Sequence, residues 1–463
     1  MQEQVKNSKG EKFKQFLLNL PEIQPPLHRP DFKQKLKWTL LIVLFFFILA
    51  QTPLWGLESN TLARFQYLAL LLGAKFGSIL TLGIGPIVTA SIILQLLVGA
   101  KLINIDMKTP EGRQYFEGLQ KFLTILFIIF EAAVYVLMRG LVAKPGLESV
   151  VILQLIVGGL IIMFMDELSS KYGFGSGISL FILCGVALSL IVQAFGFLGP
   201  GGHFEPVGKV ISLGISLASG NLKEAYLSLA AILGTIIVFA IVVYAQALRV
   251  ELPISFGRLR GFSLKWPLQF LYTSVIPVIL AAVLLANLQL LANLAQQKGI
   301  YWLGKFEAGR PVAGLVYWLS APSGGLPRYF LTHGFDLRVV LKSLTYLLFM
   351  VFACMGFSLL WVNTAGMDPR SQAEQLTAYG FQIPGFRQDP RMIETLLRRY
   401  ITPLALMGGA AIGLLAALAD LLGALVSGTS LLLAVMIAYQ LNLTISRQHA
   451  FDMPPFFRKI FRM

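Results

Sequence analysis

Residues 172–204, YGFGSGISLFILCGVALSLIVQAFGFLGPGGHF, run for 33 positions without an Asp, Glu, Lys or Arg. A helix rises about 1.5 Å per residue, so about 20 apolar residues cross the roughly 30 Å hydrocarbon core of a bilayer. Working outward, uncharged stretches recur at 38–57, 76–100, 149–165, 225–248, 266–297, 343–367, 400–419 and 421–446, and 122–138 is interrupted only by Glu131. That makes ten candidate spans. A soluble helical core could not pack so much apolar surface without exposing a large patch. Composition agrees: 56% of the 463 residues are hydrophobic and 13% charged, against roughly a quarter charged in soluble chains.

The net charge of +15 suits nucleic acid or a membrane surface, and its distribution decides between them. With the N-terminus inside, ten spans return the C-terminus inside. Of the 38 Lys and Arg, 26 then fall on that side, in 1–37, 101–121, at Lys171, and in 249–265, 370–399 and 447–462. This is the positive-inside bias, and it predicts cytoplasmic termini. The polar, basic start from Met1 to Lys37 does not read as a cleavable signal. Cys184 and Cys354 fall inside spans and read as small buried hydrophobes, without disulfide or metal spacing.

Four segments follow: a cytoplasmic N-terminal segment 1–34, a half 35–200 with five spans, a half 201–446 with five more, and a cytoplasmic tail 447–463. Lys6, Lys9, Lys12 and Lys14 interleaved with Phe13, Phe16, Leu17, Leu18 and Leu20 predict a basic amphipathic helix over 1–20. Residues 61–74, TLARFQYLALLLGA, are apolar but too short to cross. They read as a half-helix that dips in from outside and returns, which is tolerated only inside protein or a water-filled cavity. The uncharged 311–327 segment is Pro-bounded and broken by Ser323, Gly324 and Gly325, so it reads as an extracellular or interfacial hairpin rather than an eleventh span. The basic loops 249–265 and 368–399 leave two readings open: topology determinants, or a docking surface for an acidic or nucleic-acid partner. No strict internal repeat is visible, although an even split permits two inverted five-helix halves. Gly83, Gly85 and Pro86 open the second span, Gly173, Gly175 and Gly177 the fifth, and Gly423 and Gly428 the tenth.

Catalytic patterns are missing from the sequence. His28, His203, His333 and His449 lack partner spacing, and there is no phosphate-binding glycine loop and no metal pattern. The chain reads as no enzyme, with no cofactor. Only Glu131 sits mid-span, where a charge costs at least about 2.5–3.5 kcal/mol. One carboxylate is thin support for an ion-coupled secondary transporter with inverted repeats, the alternative reading. Ile84 and Val88 are four apart and share a helix face, as do Ile178 and Ile182; that spacing is routine in any apolar helix.

The stretches LTLGIGPIVTASIILQLL (80–97), DELSSKYGFGSGISLFI (166–182), VIPVILAAVLLAN (275–287) and LGALVSGTSLLL (422–433) resemble the SecY family of protein-translocation channels, in its archaeal type. The resemblance runs from about Pro21 to about Leu443. It implies an all-α integral membrane protein of ten transmembrane helices in two pseudo-symmetric inverted halves, in the plasma membrane. Such a channel passes unfolded secretory polypeptides across the membrane and releases hydrophobic segments sideways through a lateral gate. By motif, the pore ring would be Ile84, Val88, Ile178, Ile182, Ile279 and Leu433, with Ile276 beside it. A narrow apolar waist dewets and blocks ions. The plug would be the 61–74 half-helix, with Phe65, Tyr67, Leu68 and Leu71. The gate's polar cluster would be Thr89, Glu131 and Asn287, and the ribosome-docking loops would present Arg258, Arg260 and Arg387. Implied partners are the ribosome or a cytosolic motor ATPase, small SecE-type and beta-type membrane subunits, signal peptides, nascent chains and lipid. The 299–337 loop and the first twenty residues match no family motif, and Pro384 and QDP (388–390) alter the surroundings of Arg387.

Overall fold

A computed structural model describes residues 17, 19–28, 30–60, 73–99, 102–103, 105, 109–138, 140–197, 208–256, 263–273, 276–297, 299, 301–307, 310–322, 324–378, 381–382 and 390–448. Helix α1 (Phe32–Gln51) shows what kind of environment the chain folds for. Ile42, Phe46 and Leu49 are buried, while Leu40, Leu41, Leu44, Phe45 and Ile48 stand exposed. Helix α7 (Leu222–Ala247) departs from the soluble pattern, with polar side chains buried beside Val238 and Val242. Ser228, Thr235 and Gln246 point inward, and Leu233, Ile236 and Phe239 point outward. Such a surface is stable only in hydrocarbon, where backbone hydrogen bonds close within each helix.

Ten helices of fifteen residues or more occur among the described residues, one on each expected span. After α1 come α2 (Gly85–Gly99), α3 (Pro110–Leu137), α4 (Glu148–Tyr172) and α5 (Gly177–Phe195). The short α6 (Lys209–Ala218) precedes α7, and α8 (Ile276–Gln297) follows it. Two short helices, α9 (Leu315–Trp318) and α10 (Gly325–His333), precede α11 (Leu337–Thr364). The chain ends with α12 (Pro369–Ala378), α13 (Pro390–Leu421) and α14 (Gly428–Gln448). Seven of these helices are long and apolar enough to cross a membrane, and α2 and α8 contribute shorter apolar runs, Gly85–Gln95 and Ile276–Leu285.

The chain divides into two compact units, Met1–Gly185 with Gln440–Met463, and Val186–Tyr439. In the first, Leu54, Leu82, Ile128, Ala132, Val136, Leu141, Val151 and Leu155 form a continuous core. Helix α3 starts on Pro110 after an N-cap, Thr109, whose hydroxyl accepts the Gly112 N–H at 3.1 Å. Strands β1 (Leu57–Asn60) and β2 (Leu141–Ala143) tie the ends of α1 and α3 together as an antiparallel pair. Phe46 stacks on Phe181 at 4.8 Å between ring centroids, joining α1 to α5. In the second unit α13 packs along α11. Their approach is close because a Cβ at Gly413 would lie 2.5 Å from the Met350 carbonyl oxygen. Ser358 donates to the Ala405 carbonyl at 2.6 Å and shares a hydrogen bond with Thr273 at 3.1 Å.

Several expected boundaries move. The 249–265 loop is an antiparallel ribbon, β3 (Arg249–Phe256) with β4 (Ser263–Gln269), so the span expected from 266 becomes helical only at Ile276. Alternation in VELPI and LKWPL carries a period of two that a charge count ignores. The hairpin expected at 311–327 is instead formed by β5 (Lys305–Glu307) and β6 (Arg310–Ala313), upstream of most of that segment, which holds α9 and the start of α10. Gly314, with φ at 90°, turns the chain between β6 and α9. The expected amphipathic helix over 1–20 and the end of the 447–463 tail lie mostly outside the described residues.

Candidate functional site: an apolar collar and a basic platform

The helix openings position the expected collar side chains. Ile84 directly precedes α2, and its carbonyl accepts the Val88 N–H at 3.0 Å, so the two sit one turn apart. Helix α5 opens at Gly177, where Asp166 of α4 accepts the Ile178 N–H at 3.0 Å and the Ser176 hydroxyl at 3.1 Å. Ile178 and Ile182 follow on its first two turns. In the second unit Ile276 and Ile279 occupy the first turn of α8. Helix α14 opens at Gly428, whose N–H donates to Asp420 at 2.7 Å, and Leu433 lies five residues on.

Exposure separates these residues from the lipid-facing ones. Ile84 is 1% exposed, Ile182 3% and Leu433 0%. Val88, Ile178, Ile276 and Ile279 are half-buried, and none of the seven is exposed. Fully apolar side chains at helix starts, turned away from the outer surface, can exclude water and ions without binding a passing chain. Of the gate cluster, Thr89 on α2 and Glu131 on α3 are half-buried on helices packed against each other. Asn287 lies in α8, a helix of the other unit, and its side chain is not described. Phe65, Tyr67, Leu68 and Leu71, with most of 61–74, lie outside the described residues, as do Arg258, Arg260 and Arg387.

The two basic loops are parts of one body. Strand β7 (Phe381–Gln382) pairs with β3, Ser255 opposite Gln382 and Phe256 opposite Phe381, giving the order β4-β3-β7. Leu252 and Leu268 of the ribbon bury against Ala373 of α12 and Ile393, Leu397 and Ile401 of α13. The segments 257–262 and 383–389, which carry the three arginines, therefore leave one small sheet. Nothing in the spacing of 249–265 and 368–399 announces this, because the pairing joins residues more than a hundred positions apart.

Two further features escaped the sequence reading. Glu167 accepts the Ile23 N–H at 3.0 Å and ion-pairs with Lys121 at 2.8 Å and Lys171 at 3.0 Å. Lys171 also bonds Glu22, so residues 22–23 are strapped to the end of α4 beside a cavity of about 650 Å³ that Leu17, Ile87 and Met163 help to line. The spacing of Glu167 and Lys171 is legible on a helix; Lys121 and Glu22 carry no local signal. The second feature is a short repeat, Ser176-Gly-Ile-Ser-Leu180 and Ser427-Gly-Thr-Ser-Leu431, at the starts of α5 and α14. Aligned in sequence, the repeat matches Ile182 with Leu433, and comparing the two helix openings would have found it. Among the described residues no group of three His, Cys, Asp or Glu could hold a metal ion.

Known proteins share this architecture along nearly the whole chain. The SecY family model matches residues 78–442. The protein translocase subunit SecY of Methanothermobacter thermautotrophicus is 44% identical over 454 residues, covering 97% of this chain and 98% of its own. A solved structure described as that of a protein conducting channel superposes with a TM-score of 0.78 at 38% identity, covering 95% of this chain and 97% of that one. Sec61 in the canine ribosome-channel complex from the endoplasmic reticulum gives 0.75 at 37% identity, covering 95% and 97%. With a family model spanning most of its length and relatives matched end to end, the chain belongs to the SecY family of multi-pass membrane proteins.

Proposed function

We propose that this chain is a gated protein-conducting channel in which unfolded secretory polypeptides cross an aliphatic collar and hydrophobic segments leave sideways into lipid. The observation that carries the proposal is the burial of Ile84, Ile182 and Leu433 in a chain whose other large apolar side chains so often face outward. An apolar constriction grips no particular sequence, which suits a conduit for many polypeptides. Ile84, Val88, Ile178, Ile182, Ile276, Ile279 and Leu433 form the collar, Thr89, Glu131 and Asn287 the gate's polar contacts, and 61–74 the plug. The two five-helix halves are 35–200 and 201–446.

The termini and the β4-β3-β7 platform face the cytoplasm of the plasma membrane, as the charge asymmetry supports. Arg258, Arg260 and Arg387, in the segments that follow β3 and β7 in sequence, contact the ribosome, since the guanidinium fork suits phosphate, and a relative at 37% identity was solved in a ribosome-channel complex. The chain performs no catalysis, so the driving force is ribosomal elongation or a motor ATPase. Small SecE-type and beta-type subunits complete the assembly.

The test replaces Cys184 and Cys354 with Ser, then places single cysteines at Ile84, Ile182, Ile279 and Leu433 and stalls a translocation substrate carrying one cysteine. Disulfides from all four positions are expected. Disulfides only from lipid-facing controls such as Leu44 and Ile236 would overturn the collar.

A further inference from the structure

We propose that Asp166 and Asp420 are equivalent positioning residues, each capping the first turn of the next helix so that Ile182 and Leu433 are held at fixed heights in their own units. The proposal rests on the collar reading for its functional consequence, but its structural core stands on separate geometry.

The two sites share four features. Each aspartate lies in the C-terminal part of a long helix, α4 or α13, and its carboxylate turns to the opening of the following helix, α5 or α14. Each accepts a backbone N–H there, from Ile178 at 3.0 Å or Gly428 at 2.7 Å. Each takes one hydroxyl as well, Ser176 at 3.1 Å for Asp166 and Tyr346 at 2.7 Å for Asp420. Each following helix begins on a glycine pressed against the helix before it. A Cβ on Gly177 would lie 2.7 Å from the Asp166 Cα, and one on Gly428 would lie 2.1 Å from the Ala416 carbonyl oxygen. The serines then play the same part: Leu180 N–H bonds to the Ser176 carbonyl and Leu431 N–H to that of Ser427.

The first N–H groups of a helix have no partner within it. At the openings of α5 and α14 a side-chain oxygen of Asp166 or Asp420 takes the place of the missing partner for one such N–H group, and this accepted bond is what fixes the helix. The acceptor here comes from the preceding helix rather than from the local N-cap. It therefore sets the height of one helix against its neighbour as well as satisfying an amide. Slippage of α5 or α14 along its axis breaks this bond, and Ile182 and Leu433 move with the helix.

The proposal is tested in the full chain with Asp166→Ala and Asp420→Ala beside Asp166→Asn and Asp420→Asn. Asparagine keeps an acceptor oxygen and caps nearly as well as aspartate. Hydrogen exchange over 176–182 and 427–433 is expected to accelerate roughly tenfold in the alanine forms, each in its own segment, and to stay near the parent rate in the asparagine forms. Resting ion conductance in planar bilayers is expected to rise several-fold in the alanine forms alone. Unchanged exchange in the alanine forms overturns the proposal, and so does an asparagine form that behaves like alanine or fails to fold, since that assigns the role to charge. Faster exchange with unchanged conductance keeps the caps and sinks the collar reading instead.

Discussion

Adding one methyl group at Gly158 tests how closely α4 packs against the segment that leads into α2. On α4, a Cβ at Gly158 would stand 2.1 Å from the Ile79 carbonyl oxygen and 2.8 Å from Ile79 Cγ2. Real Cβ contacts stay beyond 3.0 Å, so α4 and the segment before α2 must separate by about 0.9 Å. The obstacle is a backbone oxygen, which no rotamer change removes, and Ile84 lies five residues further along the same segment. Overpacking of this kind costs about 1–3 kcal/mol, which lowers Tm by at most roughly 2–4 °C per kcal/mol. The same change at Gly185 on α5 meets nothing within 4 Å, and there alanine is neutral or stabilises by up to about 1 kcal/mol. Gly159 falls between them, because its nearest neighbour at 2.8 Å is the Ile128 side chain, which can shift. Thermal unfolding of the three alanine variants in detergent is expected to rank Gly158 least stable, then Gly159, then Gly185. Equal midpoints for Gly158→Ala and Gly185→Ala would refute the close approach of α4 to Ile79.

Glu167→Gln removes the charge that holds Lys121 and Lys171 together and weakens the anchor on the Ile23 N–H. Removing one partner leaves Lys121 and Lys171 partly buried without their counter-charge, so limited proteolysis should cut near 20–24 several times faster; parent-like cleavage would refute the strap. Leu397→Ala opens a cavity where the ribbon meets α13 and should cost about 2–5 kcal/mol. The loss is expected to show as faster hydrogen exchange in both 249–256 and 393–401, and a change confined to one segment would refute a single platform.

Ten spans, their order and the membrane setting are legible in the sequence, because hydrocarbon demands length and apolarity and both are local properties of a segment. The resemblance carried by 166–182 and 422–433 likewise needs only contiguous residues. Tertiary structure decided what depends on distant partners. Alternation in the 249–265 region marks the β3-β4 ribbon, but that Phe381 and Gln382 pair on its edge and join the second basic loop to it was decided only in three dimensions. Glu167 gained a role from Lys121 and Ile23, and Asp166 and Asp420, which border the uncharged stretches 149–165 and 421–446, accept backbone N–H groups of the next helix. The β5-β6 hairpin differs, since it pairs residues close in sequence, Lys305 with Ala313, and a count of uncharged residues does not locate its turn. Periodicity could say which residues share a helix face; only packing could say which of those faces turn away from lipid, as Ile84, Ile182 and Leu433 do.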